Sequence, residues 1–452
     1  MNYIHQYLNN RNKDNRISFH VPGHHNGTIG NLTLNSRSDI TELSDSDDLH
    51  DANGIIKQSM MQYKYFFPSY TSHYLVNGTT SGIMSAIYGT LHHVEKPSVL
   101  IIGAKHKSID HGLKLVKASG DYIKTSSSDD ELLSSISNSL EQNEYQLVIV
   151  TNPTYEGYSM SIEKVIKLVQ SKNIPTMVDE AHGAHMILDS DYFGRSATEF
   201  NADIVVQSFH KTLPTLTGSS MIHIHDVFND KFPIEYFLSV FQTSSPSYLM
   251  MESLDQCFSF MKEFDIHYFK EQFEKLLNMF HSYGFKTFYE DPVKVRVEYK
   301  SYLGKQIEKA FYNRGIDIEY SKDQYVLLII PLFQRGHHFP IDRLSDILKK
   351  VVNDIESYQS KLNRSSNVDV EKNQSFDFSL GFQLTSLREL VTIDDSLGRI
   401  NLLPIIPYPP GQIFLQSGDE ITNHDIIEIK RMIHDNKHVQ NIIDGGYIYV
   451  RK

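Results

Sequence analysis

An α/β fold, with a large and mainly parallel sheet flanked by helices, is what this sequence predicts. Three observations carry it. Short β-branched runs recur: SVLIIG at 98–103, QLVIVTNP at 146–153, IPTMVDE at 174–180, ADIVVQS at 202–208 and SSMIHIH at 219–225. Amphipathic segments such as 80–94 and 162–172 separate them. Short apolar strands spaced by helices read as a parallel sheet buried on both faces. The polar residues stand at the carboxyl ends of these runs, where ligands of such sheets gather.

In chain order, residues 1–70 are polar and irregular, with the turn PGHHNG and an acidic stretch at 39–51, and read as an N-terminal arm. Residues 71–262 hold the β-branched runs and form the expected large domain. From 247 to about 276 a long helical, aromatic-rich passage (LMMESLDQCFSFMKEF) links this domain to the next. Residues 263–363 mix strands (VKVRVEY, YVLLIIP) with helices at 302–313 and 341–357, a smaller α/β domain. The stretch 364–377 reads as a surface linker, and 364–452 as a C-terminal subdomain with a short helix near 423–434. Its PIIPYPPGQ is too rich in proline for an inner strand or a helix.

Composition narrows the function. The 452 residues are 40% hydrophobic and 22% charged, enough to bury large cores. No stretch approaches the roughly 20 apolar residues of a membrane span, and the polar start has no secretory core, so a cytoplasmic protein is expected. A net charge of −12 disfavours nucleic acid as a partner. One cysteine, Cys257, builds neither a disulfide framework nor a thiolate zinc site. His20, His24, His25, His182, His185, His337 and His338 invite a metal reading, but no H-E-x-x-H or cysteine partner supports one, and none is expected.

Four constellations carry chemistry. Ser208-Phe209-His210-Lys211 follows the strand ADIVVQ, and a buried strand-end lysine with a depressed pKa is an amine nucleophile able to form a Schiff base; alone, it also reads as a solvated loop lysine. Asp179-Glu180-Ala181-His182-Gly183-Ala184-His185 follows PTMV. There Asp179 can pair with a cationic ring nitrogen and Ala181 is small enough for a flat ring to lie over it, or Asp179 simply caps the next turn. A helicase DEAH box is excluded, because no G-x-x-x-x-G-K-[ST] run exists. Asn77-Gly78-Thr79-Thr80-Ser81-Gly82 opens a helix and reads as a phosphate cup or as ordinary capping. His106, after SVLIIG, stacks on a planar group or is a loop histidine.

The joint order of these signals is more specific than any one of them. Cup, histidine, strand-end aspartate and strand-end lysine resemble, in that order, the fold type I pyridoxal-phosphate enzymes. The resemblance is closest to the short form of the bacterial ornithine/lysine/arginine decarboxylases and covers nearly the whole chain. Phe19-His20-Val21-Pro22-Gly23-His24, Asp39-Ile40-Thr41-Glu42-Leu43, Asp47-Asp48-Leu49-His50, Thr154-Tyr155-Glu156-Gly157, Ser244-Ser245-Pro246-Ser247-Tyr248 and Gly398-Arg399-Ile400 through Pro407-Tyr408-Pro409-Pro410-Gly411 complete it.

The resemblance implies an aspartate aminotransferase-like large domain and roles for single residues. Lys211 would hold pyridoxal 5'-phosphate as a Schiff base, Asp179 would pair with the ring nitrogen, and His106 and Ala181 would cover its two faces. Thr79, Thr80, Ser208 and His210 would bind the phosphate, His182 would line the cofactor site, and Ser244 would reach the phosphate of a neighbouring subunit, making a homodimer or larger assembly. The substrate would be a basic amino acid, its distal cation met by Asp419 or Glu420. The chain departs from the family at Phe209, at Gly103-Ala104, within Asn401-Leu402-Leu403, and at Asp419, where a glutamate is usual. The expected activity is decarboxylation of ornithine, lysine or arginine to the amine and carbon dioxide. Another lyase or aldolase-type reaction on the same cofactor, or a catalytically weakened binding protein, are the alternatives.

Overall fold

The computed structural model describes residues 13, 16–30, 38–43, 46–125, 128–358, 374–379, 381, 388–408, 413–434 and 438–451. Its centre is an eight-stranded sheet. Strands β2 (Tyr70–Leu75), β3 (Ser98–Ile102), β4 (Ser119–Ile123), β5 (Leu147–Thr151), β6 (Thr176–Asp179), β7 (Ile204–Gln207), β8 (Ser220–His225) and β14 (Gln374–Asp377) lie in the order β14-β4-β3-β5-β6-β7-β8-β2. The five from β4 to β7 run parallel, while β8 and the edge strand β14 run antiparallel to their neighbours. Every residue of β6 and β7 is buried, which is why Met177 and Val178, and Ile204, Val205 and Val206, are apolar in succession rather than alternating. Each such side chain contributes about 1.5–3 kcal/mol on burial.

Helix α1 (Ile55–Gln62) precedes the sheet, and later helices cover both of its faces. On one lie α2 (Gly78–Leu91), α3 (Lys107–Leu115) and α6 (Ile234–Phe241); on the other lie α4 (Asp129–Gln142) and α5 (Ile162–Gln170). In α5, Ile162, Val165, Ile166 and Val169 form the buried stripe that the i, i+3, i+4, i+7 spacing demands. Helix α2 sits unusually close to the sheet: a Cβ at Gly82 would stand 2.5 Å from Leu75 Cδ1.

The 247–276 passage is two helices, not one. Helix α7 (Tyr248–Lys262) stops, and α8 (Ile266–Ser282) restarts where the Asp265 carboxylate accepts from the amides of His267 and Tyr268. A second unit comes next, an antiparallel sheet of β9 (Phe285–Phe288), β10 (Lys294–Tyr299), β12 (Tyr320–Lys322) and β13 (Tyr325–Ile329) in the order β12-β13-β10-β9. Helices α8, α9 (Gly304–Asn313) and α10 (Ile341–Glu356) pack with it in one large apolar cluster.

The N-terminal arm ties the two units together. Strand β1 (Ile17–Phe19) pairs in parallel with β11 (Ile316–Ile318) of the second unit. Four residues on, the Gly23 amide donates to the His210 carbonyl at 2.7 Å. A Cβ at Gly23 would lie 2.7 Å from the Leu213 carbonyl oxygen, so the arm touches the lysine turn backbone to backbone. The last residues form two ribbons, β15 (Arg388–Thr392) with β18 (Tyr447–Arg451) and β16 (Ile406–Tyr408) with β17 (His438–Gln440), around α11 (Asn423–His434). Residues 374–377 of the expected linker are instead the edge strand β14, because their alternation pairs with β4. Residues 364–373 of that linker and Pro409-Pro410-Gly411 lie outside the described residues. Among the described residues no helix is long and apolar enough to cross a membrane.

Candidate active site

The carboxyl ends of β6 and β7 bring the central residues together. Lys211 lies on a one-turn helix, Phe209–Thr212, that starts directly after Ser208. Phe209 anchors this turn: it is fully buried and meets the Tyr63 ring edge-on at 5.8 Å. The departure from the family's threonine is therefore a core residue. His210 fastens the other side, its Nδ1–H donating to the Ser219 carbonyl at 2.9 Å. Held through Phe209 and His210 on its N-terminal side, Lys211 turns its amine toward His182.

There its Nζ lies 2.9 Å from His182 Nε2. Burial pushes the Lys211 amine below the ordinary lysine value, while Asp179 and Glu319 pull it back up. Asp179, 3% exposed, ends β6 and accepts from the Ala181 amide at 3.2 Å. Burial raises its pKa, opposed by the Lys211 charge, so a cation in the cleft favours the carboxylate. The capping and pairing readings of Asp179 are thus compatible. His106 opens α3, its Nδ1 2.7 Å from Ser108 Oγ. Burial and the Lys211 charge push it down to about 3, so the ring is neutral at working pH. Ala181 is buried beside Asp179.

Two hydroxyls of the expected cup also meet. Thr79 Oγ1 lies 3.1 Å from Ser208 Oγ, joining the start of α2 to the end of β7. Asn77 makes no side-chain cap on α2, which leaves first-turn amides and the half-buried Thr80 facing an anion-favouring helix start. Gly78 adopts φ +71 and donates to the Gly218 carbonyl at 2.9 Å.

Three expected residues stand apart from this group in the chain. Ser244 is exposed on a loop tied to Asn77 through the Thr243 amide, 3.0 Å from Asn77 Oδ1. Asp419 is exposed and accepts from its own turn, at the Gln416 amide, at 3.0 Å. Its charge acts on Lys114, toward the far end of α3 from His106. Glu420 is exposed, on a bridge to Ile400. Among the described residues no His, Cys, Asp or Glu cluster could hold a metal; His24 Nδ1 accepts from the Gly27 amide at 3.0 Å and His25 Nδ1–H donates to the Ser18 carbonyl at 2.8 Å.

The second unit supplies groups the sequence did not mark. Lys294, fully buried at the start of β10, places Nζ 2.7 Å from His182 Nδ1 and donates to the Tyr155 carbonyl at 3.2 Å. Burial brings its amine down to about 7. Glu319 accepts from the Val21 amide at 2.9 Å and from the Tyr155 hydroxyl. Asp291 meets His185 Nε2 at 3.0 Å, both buried. Tyr155 sits edge-on to His182 at 4.7 Å. The Thr154-Tyr155-Glu156-Gly157 motif was visible in the sequence, but nothing in VKVRVEY marks its lysine as the buried one, since strict alternation would send it outward.

A mainly parallel sheet that gathers a lysine, an aspartate and a histidine at its carboxyl edge is built as an enzyme site, and comparison with known proteins gives the class, the amino acid decarboxylases. Residues 4–279 match the family model described as Orn/Lys/Arg decarboxylase, major domain. The chain belongs to the Orn/Lys/Arg decarboxylase family. It is 30% identical over 455 residues to the uncharacterized protein YaaO of Bacillus subtilis (strain 168), covering 94% of this chain and 93% of that one. It is 27% identical to an arginine decarboxylase of the same organism, covering 96% and 94%. In three dimensions it is similar to lysine decarboxylase A from Pseudomonas aeruginosa, with a TM-score of 0.68 at 16% identity over 92% of this chain and 74% of that one.

Proposed function

We propose that this chain decarboxylates a basic amino acid, ornithine, lysine or arginine, to the corresponding amine and carbon dioxide, with pyridoxal phosphate held at Lys211. The observation that carries the reading is one buried lysine amine facing Asp179, His106 and His182 at the carboxyl edge of the sheet. The donor set fits the cofactor: hydroxyls of Thr79 and Ser208 at an uncapped helix start suit a phosphate, and buried Asp179 suits a cationic ring nitrogen. Relatives named arginine decarboxylase and lysine decarboxylase support the substrate class. Bound there, the cofactor supplies an electron sink for the pair left when the carboxylate departs.

The chain's own residues do the rest. Asp179 would hold a proton on the ring nitrogen by its charge, and its burial would make that contact strong. His106, neutral, presents a flat face without adding a cation. His182 holds a proton within reach of Lys211 Nζ. Ala181, small and buried beside Asp179, would leave room for a flat ring. We further infer a homodimer, in which Ser244, exposed on its own chain, meets the neighbour's phosphate. Asp419 and Glu420 stay candidates for the substrate's distal cation, reached from a second copy.

Borohydride reduction of the yellow protein followed by peptide mapping tests the reading. A pyridoxyl group on Lys211 is expected; an adduct on another lysine, or none after cofactor soaking, overturns it. Carbon dioxide release from each of the three amino acids then separates decarboxylation from other lyase chemistry. Mixing Lys211→Ala and Ser244→Ala chains tests sharing: activity above the sum of the parents is expected.

A further inference from the structure

His182 stands between two lysines. Its Nε2 is 2.9 Å from Lys211 Nζ and its Nδ1 is 2.7 Å from Lys294 Nζ. An ammonium has three donors and no acceptor, and a neutral imidazole has one N–H and one lone pair. Two ammonium groups therefore cannot both bond this ring. One lysine must be a neutral amine accepting the imidazole N–H, while the other donates to the bare nitrogen. The ring couples them: whichever lysine carries the proton fixes the tautomer and leaves the opposite lysine a neutral amine, its lone pair accepting the imidazole N–H.

We propose that Lys294 is a positioning residue which, through His182, sets Lys211 as a neutral amine able to capture an aldehyde. This rests on the reading of Lys211 as the cofactor lysine. The exchange balances in protons: the Lys211 ammonium gives one to Nε2, Nδ1–H passes one to the Lys294 amine, and the total charge is unchanged. The neutral Lys211 nitrogen then condenses with the aldehyde carbon and one water leaves.

The groups around the three residues decide where the proton rests. Lys211 is faced by Asp179 from β6, Glu319 from the β11–β12 junction and His106 from α3. Lys294 is faced by Asp291 and Glu319, and His182 by both lysines, His106 and His210. Burial, with positive charge on the lysine side of the ring, holds His182 far below the ordinary histidine value, so it stays a neutral two-way coupler. The Lys294 amine, brought to about 7, gains and loses a proton near neutral pH. Its approach is built in: a Cβ at Gly157, φ +90, would lie 3.0 Å from Lys294 Cβ.

The test is the rate at which cofactor-free protein captures pyridoxal phosphate, followed by absorbance from pH 6 to pH 10, with borohydride mapping of the product. In Lys294→Met, Lys211 must lose its proton to solvent, so the midpoint of the rate profile should rise by about one pH unit or more. The rate at neutral pH should fall about tenfold, with the high-pH plateau kept as proof of an intact pocket. Lys294→Arg, a permanent donor to Nδ1, should return the midpoint to the wild-type value or below. In a His182→Gln background, Lys294→Met should add no further shift. A Lys294→Met profile that superposes on wild type overturns the proposal. So does an equal shift in the His182→Gln background, which would mean a direct field rather than coupling through the ring. Either result leaves the cofactor reading intact if the wild-type adduct maps to Lys211; an adduct elsewhere in wild type sinks both.

Discussion

The two walls of the cleft are made on different principles. The wall from the large sheet presents Asp179, Lys211 and His106 at or just after strand ends, where each strand's apolar run stops and the first polar residue must face the crevice. The wall from the second unit presents Lys294, Asp291 and Glu319 from strand starts and turns, in positions whose local pattern looks ordinary. The lesson is that a parallel sheet advertises its site by interrupting a buried run, whereas a docked unit contributes by where it lands. A buried charge on the second wall is legible only once its partners on the first are in place.

Lys211→Ala should break the first wall most completely. Loss of borohydride-fixed pyridoxyl and a fall in carbon dioxide release of roughly a thousandfold or more are expected; turnover near wild type would move the nucleophile elsewhere. On the second wall, Asp291→Ala tests whether landing matters. It strips His185 of its buried partner across the two units, and urea unfolding should show a loss of about 3 kcal/mol. An unchanged midpoint would mean that the second unit is only lightly attached.

Asp179→Asn should keep the fold and much cofactor but lose about 3 kcal/mol of transition-state stabilisation, near a hundredfold in kcat. A near-normal kcat would remove Asp179 from the ring nitrogen. The smallest effect compares neighbours within one wall. Glu180, next to Asp179, faces the opposite way and accepts from Ser196 Oγ at 2.7 Å, the Ala197 amide at 2.8 Å and Gln207 Nε2 at 2.5 Å. Burial raises it from 4.5 to about 7. Between those values the folded chain keeps a proton that the unfolded chain has released, so stability falls as pH climbs through that window, by at most about 3 kcal/mol. Melting scans of Glu180→Gln should be flatter from pH 4.5 to 7; an identical slope would place the charge cost elsewhere.

Much was determined by the sequence alone, for a physical reason. Strands buried on both faces must be apolar throughout, so ADIVVQ and PTMV declare themselves, and the residues ending them declare the edge of the sheet. The cup is equally local, since Thr79 follows a strand and opens a helix. Tertiary structure decided what depends on distance along the chain. It turned Glu180 away from Asp179 and into the Ser196 and Gln207 network, because successive strand residues face opposite sides. It sent Phe209 into the core and left Asp419 on its own turn. It buried Lys294, 83 positions after Lys211, against the His182 ring. No periodicity reports such a meeting, because the burial of that lysine is set by the packing of one unit on another rather than by the residues beside it.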